Sequence, residues 1–208
     1  MKEEQNLSKK KIACIFSVIA VLVIGVLAGL YFIVIKKNNE TEYAKIREGM
    51  KIIENASIPG VSVFVPEDYV KTDDQDIIKY VKDERKTDEG TEYGAQVFLT
   101  SEKVDNDVVN YAYNAVRKYE NITDSFNIRE ERDEEISGTT VHVVRFDYGL
   151  SLDSGNKTFS ALSVYMLGNG RSYVLTCISD SDKFPQYEED YNRIYKTMAL
   201  VEEKVKSN

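Results

Sequence analysis

Apolar residues are distributed along this chain in three ways, and each predicts a different element. From Ile12 through Val23 to Ile35 they form an unbroken run of 24 residues without a charge, with Lys11 before it and Lys36 after it. At a rise of about 1.5 Å per residue, the run is about 36 Å long and exceeds the ~30 Å hydrocarbon core of a bilayer. A helix that is oily on every side has no solvated face to offer water. The run therefore reads as a transmembrane anchor. A cleaved signal peptide is disfavoured, because Leu30 to Ile35 continue the apolar run past the cleavage-like Val26-Leu27-Ala28. Cys14 precedes the apolar region instead of following it, which rejects a lipoprotein signal.

Elsewhere the pattern is periodic. Tyr43, Ile46, Met50 and Ile53 recur at three- and four-residue steps and predict a helical stalk. Ile58-Pro59-Gly60 ends it. Val61 to Val65 alternates and stops at Pro66, a first strand; Asp76 to Arg85 and Tyr93 to Thr100 predict two more. Asp105 to Glu120 reads as a helix with Asp105 as N-cap and Val108, Ala112, Ala115 and Tyr119 on one face. Phe126 to Asp133 is a poorly patterned strand.

The strongest signal is a meander: Thr139 to Tyr148, Lys157 to Leu167 and Ser172 to Ser179. Asp153-Ser154-Gly155-Asn156 and Gly168-Asn169-Gly170 connect these strands with tight-turn chemistry. In the middle strand Phe159, Ala161 and Tyr165 take one face and Leu162, Val164 and Met166 the other. A sheet apolar on both faces needs cover on both. A last helix, Phe184 to Met198, turns Phe184, Tyr187, Tyr191, Ile194, Tyr195 and Met198 inward, with Pro185 in its first turn.

Lys2, Lys9, Lys10 and Lys11 before the apolar run, against Lys36 and Lys37 after it, put the short N-terminus inside. The expected layout is a cytoplasmic N-terminus over 1–11, a transmembrane helix over 12–35, a helical stalk over 36–57, an extracytoplasmic α+β domain over 58–200 and a polar tail over 201–208. The chain carries −8 and residues 1–37 carry six Lys and two Glu, +4, so residues 38–208 carry −8 − 4 = −12. Such an acidic domain is a poor nucleic-acid binder. Cys177 is the only external cysteine, so no internal disulfide forms there, which leans towards a bacterial surface protein.

Val63-Phe64-Val65-Pro66 near the start, Ile136-Ser137-Gly138-Thr139 opening a long strand, and Tyr173-Val174-Leu175-Thr176-Cys177 before the final helix occur in a set order. That order resembles the Mog1/PsbP-like family of α/β/α domains over roughly residues 58–200. The resemblance implies a mostly antiparallel sheet covered by helices on both faces and a non-enzymatic adaptor that binds partner proteins.

No set of residues spells out catalysis. His142 is the sole histidine, and local spacing offers it no metal or base partners, so it reads as a half-buried structural residue. Cys177 lies mid-strand and reads as core, where a thiolate is disfavoured. The run Glu130, Glu131, Asp133, Glu134 and Glu135 lacks the loop pattern of a calcium site and reads as solvated charge. No catalytic, metal or cofactor residues are therefore assigned. Tyr111 and Tyr113 cannot both face inward beside Ala112 and Ala115, which makes them the interface candidates.

Three expectations follow: lipid contact through residues 12–35, a single-pass location in the cell membrane with the domain outside, and binding of another envelope or membrane protein. A small ligand or cell-wall polymer in a Tyr-lined cleft is the alternative.

Overall fold

A computed structural model of the chain describes residues 40, 42–53, 57–72, 77–87, 90–104, 107–152 and 155–201. The membrane run 12–35, the N-terminal 1–11 and nearly all of the tail lie outside these residues. No described helix is long and apolar enough to cross a membrane. The chain divides into two compact units, Met1–Lys45 and Ile46–Asn208, and the second carries the fold below.

The stalk is shorter than its periodicity suggests. Residues 42–46 are helical, but Met50–Ile52 is a strand, β1. It pairs antiparallel with β3 (Phe64–Pro66), and Ile53 is fully buried. Arg193 fixes the intervening turn by donating to the Ile46 and Glu48 carbonyls at 3.1 and 2.6 Å. Met50 and Ile53, the second half of the apolar spacing that imitated a helix, thus belong to the domain core. The expected single strand over Val61 to Val65 is also split. β2 (Val61–Ser62) pairs with β11 (Ala199–Leu200), and β3 pairs with β1.

Among the described residues the main sheet has seven antiparallel strands. They are β4 (Val70–Thr72), β5 (Ile78–Thr87), β6 (Gly90–Lys103), β7 (Ser125–Ile136), β8 (Thr139–Leu152), β9 (Gly155–Gly168) and β10 (Arg171–Asp180). Their spatial order is β4-β5-β6-β10-β9-β8-β7. Two connections fix the register. Asn169 and Gly170 have φ of 55° and 68°, and Ser137 and Gly138 have 53° and 74°. Positive φ at both central residues is the hairpin turn that matches strand twist, and Asn and Gly tolerate it best. Gly168 therefore faces Arg171, and Ile136 faces Thr139.

Each sheet face has its own core. Val141, Val143, Leu162, Val164, Met166, Leu175 and Cys177 pack under α2 (Phe184–Lys196). Val144, Phe146, Ala161, Tyr165 and Ile178 face α1 (Val108–Ile122). This is the face assignment that the blurred alternation of the middle meander strand predicts. In α1 the N-cap is Asp107, which accepts from the Asn110 backbone N–H at 2.9 Å. The expected cap, Asp105, lies outside the described residues.

Candidate functional site

The two faces are closed to different degrees, and this difference locates the site. On the α2 face cover comes from several segments: α2 itself, the strands β1, β2 and β3, and Ile58, Tyr69 and Met198. Its tyrosines are paired as well as buried. Tyr191 donates to the Ile178 carbonyl at 2.8 Å, Tyr173 to the Pro59 carbonyl at 3.1 Å and Tyr187 to Asp83 at 2.6 Å. The Tyr195 hydroxyl bridges Arg132 and Glu134, each at 3.2 Å. Buried phenols with satisfied hydroxyls make a sealed core.

On the opposite face α1 is the only described helix. Seven strands at about 4.8 Å spacing make a sheet about 29 Å wide, whereas a helix with its side chains is about 10 Å across. α1 packs on β8 and β9 and touches β7. Ala112 and Val116 are its buried contacts. This placement leaves an opening along each flank of the helix.

The larger opening lies over β6 and β10. It is a cleft of about 410 Å³. One stripe of α1 lines it with Tyr111, Ala115, Lys118, Tyr119 and Ile122; the sheet contributes Phe98, Val174 and Ile178, with Tyr148 and Tyr165 at the back. Ile122 at the rim is 73% exposed. Tyr111 gives its hydroxyl proton to Glu102 at 2.5 Å, and burial together with that carboxylate pushes its pKa up to about 12. Burial also raises the pKa of Tyr119, Tyr148 and Tyr165. The hydroxyls of Tyr119 and Tyr148 have no hydrogen-bond partner among the described residues, and neither does the Lys118 ammonium.

The smaller opening, about 340 Å³, lies on the β7 flank between Tyr113, Val116 and Arg117 of α1 and Phe126, Ile128 and Val144 of the sheet. Tyr113 is 49% exposed, and the Arg117 guanidinium sits 4.6 Å from its ring centroid. The structure therefore places the two interface candidates on opposite flanks of the helix. Tyr111 belongs to the cleft and Tyr113 to the outer surface.

Two other residues differ in availability from one another but not in outcome. His142 is 4% exposed, more buried than its sequence position suggests, and it does have carboxylate partners. Nδ1 lies 2.7 Å from Asp133 and Nε2 2.8 Å from Glu131. Two members of the acidic run therefore hold an imidazole instead of sitting free in solvent. The turn at Ser137-Gly138 carried the missed signal: pairing Ile136 with Thr139 forces Asp133 opposite His142. The ring is a cross-strand brace with both nitrogens occupied.

Cys177 lies in the α2-face core, and burial pushes its thiol pKa far up. A buried protonated thiol is a poor nucleophile. In the folded full-length chain Cys177 should label with maleimide at least about 100-fold more slowly than after denaturation, because reaction must await opening. Peptide-resolved mass spectrometry separates it from Cys14. Rapid native labelling would show that this core is open.

A third, polar region is internally neutralised. Arg129 pairs with Asp147 at 2.5 Å, Arg145 with Glu188 at 2.5 Å, and Ser160 donates to Asp147 at 2.7 Å.

No family model matches the sequence, and neither does any curated protein. Solved structures do match. Cyanobacterial PsbP (CyanoP) from Synechocystis shares 6% identity at a TM-score of 0.54, with 74% of this chain and 93% of that one covered. LpqN of Mycobacterium tuberculosis, described as involved in cell envelope biogenesis, shares 14% at 0.51, covering 76% and 95%. A mutant of protein Mog1 shares 14% at 0.51, covering 74% and 96%. The fold is Mog1/PsbP-like. At such identities the likeness carries architecture alone. The match spans nearly the whole of those three chains.

Proposed function

We propose that this chain is a single-pass, membrane-anchored, non-enzymatic interaction module, held outside the cytoplasm, that docks another envelope or membrane protein on the β7 flank of α1. The observation that carries this reading is the exposed apolar strip formed by Val109 and Tyr113 of α1 with Ile128 of β7. Single exposed apolar residues are ordinary, but Tyr113 and Ile128 border one opening and Val109 lies one helical turn before Tyr113, a grouping that supports a docking role. The strip is bordered by Glu120 and Glu131 on a domain of net charge −12, which selects a partner with a basic rim. The apolar run of residues 12–35 supports the anchor. The engaged histidine and sealed cysteine support a role without covalent chemistry.

Site-specific photo-crosslinking in intact cells tests the reading. A crosslinker at Tyr113 should give one discrete adduct, and a crosslinker at Lys196 on exposed α2 should give none. Adding the charge of Val109→Asp should weaken the Tyr113 adduct at least about tenfold, the effect of losing ~1.4 kcal/mol of contact. Identical adduct patterns from both positions, or none from Tyr113, would remove the proposal.

A further inference from the structure

The cleft on the other flank of α1 has a chemistry of its own. Its walls are apolar and aromatic, through Phe98, Val174, Ile178 and the tyrosine rings. Its volume of about 410 Å³ falls within the range of about 300–1,000 Å³ common for small-molecule sites. Among the described residues, the polar groups of the lining left unpaired include the Thr100, Tyr119 and Tyr148 hydroxyls and the Lys118 ammonium. An ammonium has three N–H donors and no acceptor, and a phenol donates readily. No carboxylate lines the cleft among the described residues, and Glu102 is already engaged by the lining residue Tyr111.

We infer that this cleft binds a small amphiphile with a flat or compact apolar body and a single anionic head. The body lies between α1 and the β6/β10 surface against the tyrosine rings. The head, a carboxylate or a phosphate, takes the Lys118 ammonium and the phenolic protons. A neutral apolar molecule fills the same walls but leaves Lys118 unpaired. A cationic one meets Lys118 as a like charge. The net acidity of the domain sharpens this selectivity, because an anion is held only where a local cation offsets the surrounding field.

Thermal unfolding of the full chain in zwitterionic nanodiscs tests the inference, with four probes sharing one ring system: naphthoate, naphthyl phosphate, naphthylmethanol and naphthylmethylammonium. At about 100-fold excess over its Kd, a bound anion should raise the Tm by about 5 °C or more. The neutral probe should shift it less and the cation not at all. Whichever anion gives the larger shift identifies the head group. Lys118 is exposed, so Lys118→Gln folds normally; it should abolish the anion shift, and Lys118→Arg should retain it. Equal shifts from neutral and anionic probes, an anion shift that survives Lys118→Gln, or no anion shift would overturn the inference. The Tyr113 crosslink reports the opposite flank, so either proposal can fail while the other stands.

Discussion

Raising the pH past about 11 should unfold the α+β domain in one cooperative step that releases several phenolic protons together. Five tyrosines set this limit: Tyr69, Tyr148, Tyr165, Tyr187 and Tyr191. All are buried, and burial is the main cause that raises the pKa of each. Tyr187, also held by the Asp83 carboxylate, moves to about 12, and the others move higher. In the unfolded chain the same groups ionise near their ordinary value of 10.0. The folded state thus keeps protons that the unfolded state gives up. The stability they contribute is complete below pH 10 and falls as pH rises beyond it.

The magnitude decides the outcome. Each such group costs about 1.4 kcal/mol per pH unit once the unfolded tyrosine is ionised, so five cost about 7 kcal/mol per unit. A domain stable by about 5–15 kcal/mol cannot survive two units of that slope. Lys82 acts in the same direction: burial opposes its charge, but its bonds to Asp68 and Asp190 prevail and lift its pKa to about 12. Phenolate absorbance and near-UV circular dichroism should therefore change at one pH. A gradual rise in phenolate absorbance with intact near-UV dichroism would show that these tyrosines reach solvent in the folded protein.

Parts of this structure were legible in the sequence and others were not, for physical reasons. The meander was readable because its strands are long and its turns carry residues suited to positive φ, such as Asn169-Gly170. The two-sided burial of β9 was readable from Ala161 and Leu162 alternating without a polar face. β1, β4 and β11 were not readable. They are two or three residues long, and β11 is defined only by its pairing with β2, more than 130 residues earlier. The His142 brace was hidden because β7 has almost no apolar alternation, leaving register as its only clue. The openings beside α1 were least accessible, since they arise from where one helix sits on a seven-stranded sheet.

Removing a single hydroxyl should separate the two faces of that sheet. Tyr191 is fully buried, with its ring centroid 5.3 Å from that of Phe184 and 6.2 Å from that of Tyr187. Its hydroxyl donates to the Ile178 carbonyl. Tyr191→Ala removes the ring and leaves a cavity that the surrounding β10 and α2 cannot close, at a cost of about 3–5 kcal/mol. Tyr191→Phe keeps the ring but leaves a buried carbonyl without that partner, at a cost of about 1–3 kcal/mol. Tyr148 is also buried and stacks on Phe159 at 5.3 Å, but its hydroxyl has no partner among the described residues. Tyr148→Phe deletes a polar atom that gains nothing from the fold, so it should be neutral within about 0.5 kcal/mol or stabilising. Urea midpoints of the full chain at equal m-value measure all three. If Tyr148→Phe costs as much as Tyr191→Phe, its hydroxyl is bonded within the protein, the face under α1 is sealed like the other, and the cleft loses one of the donors that select its ligand.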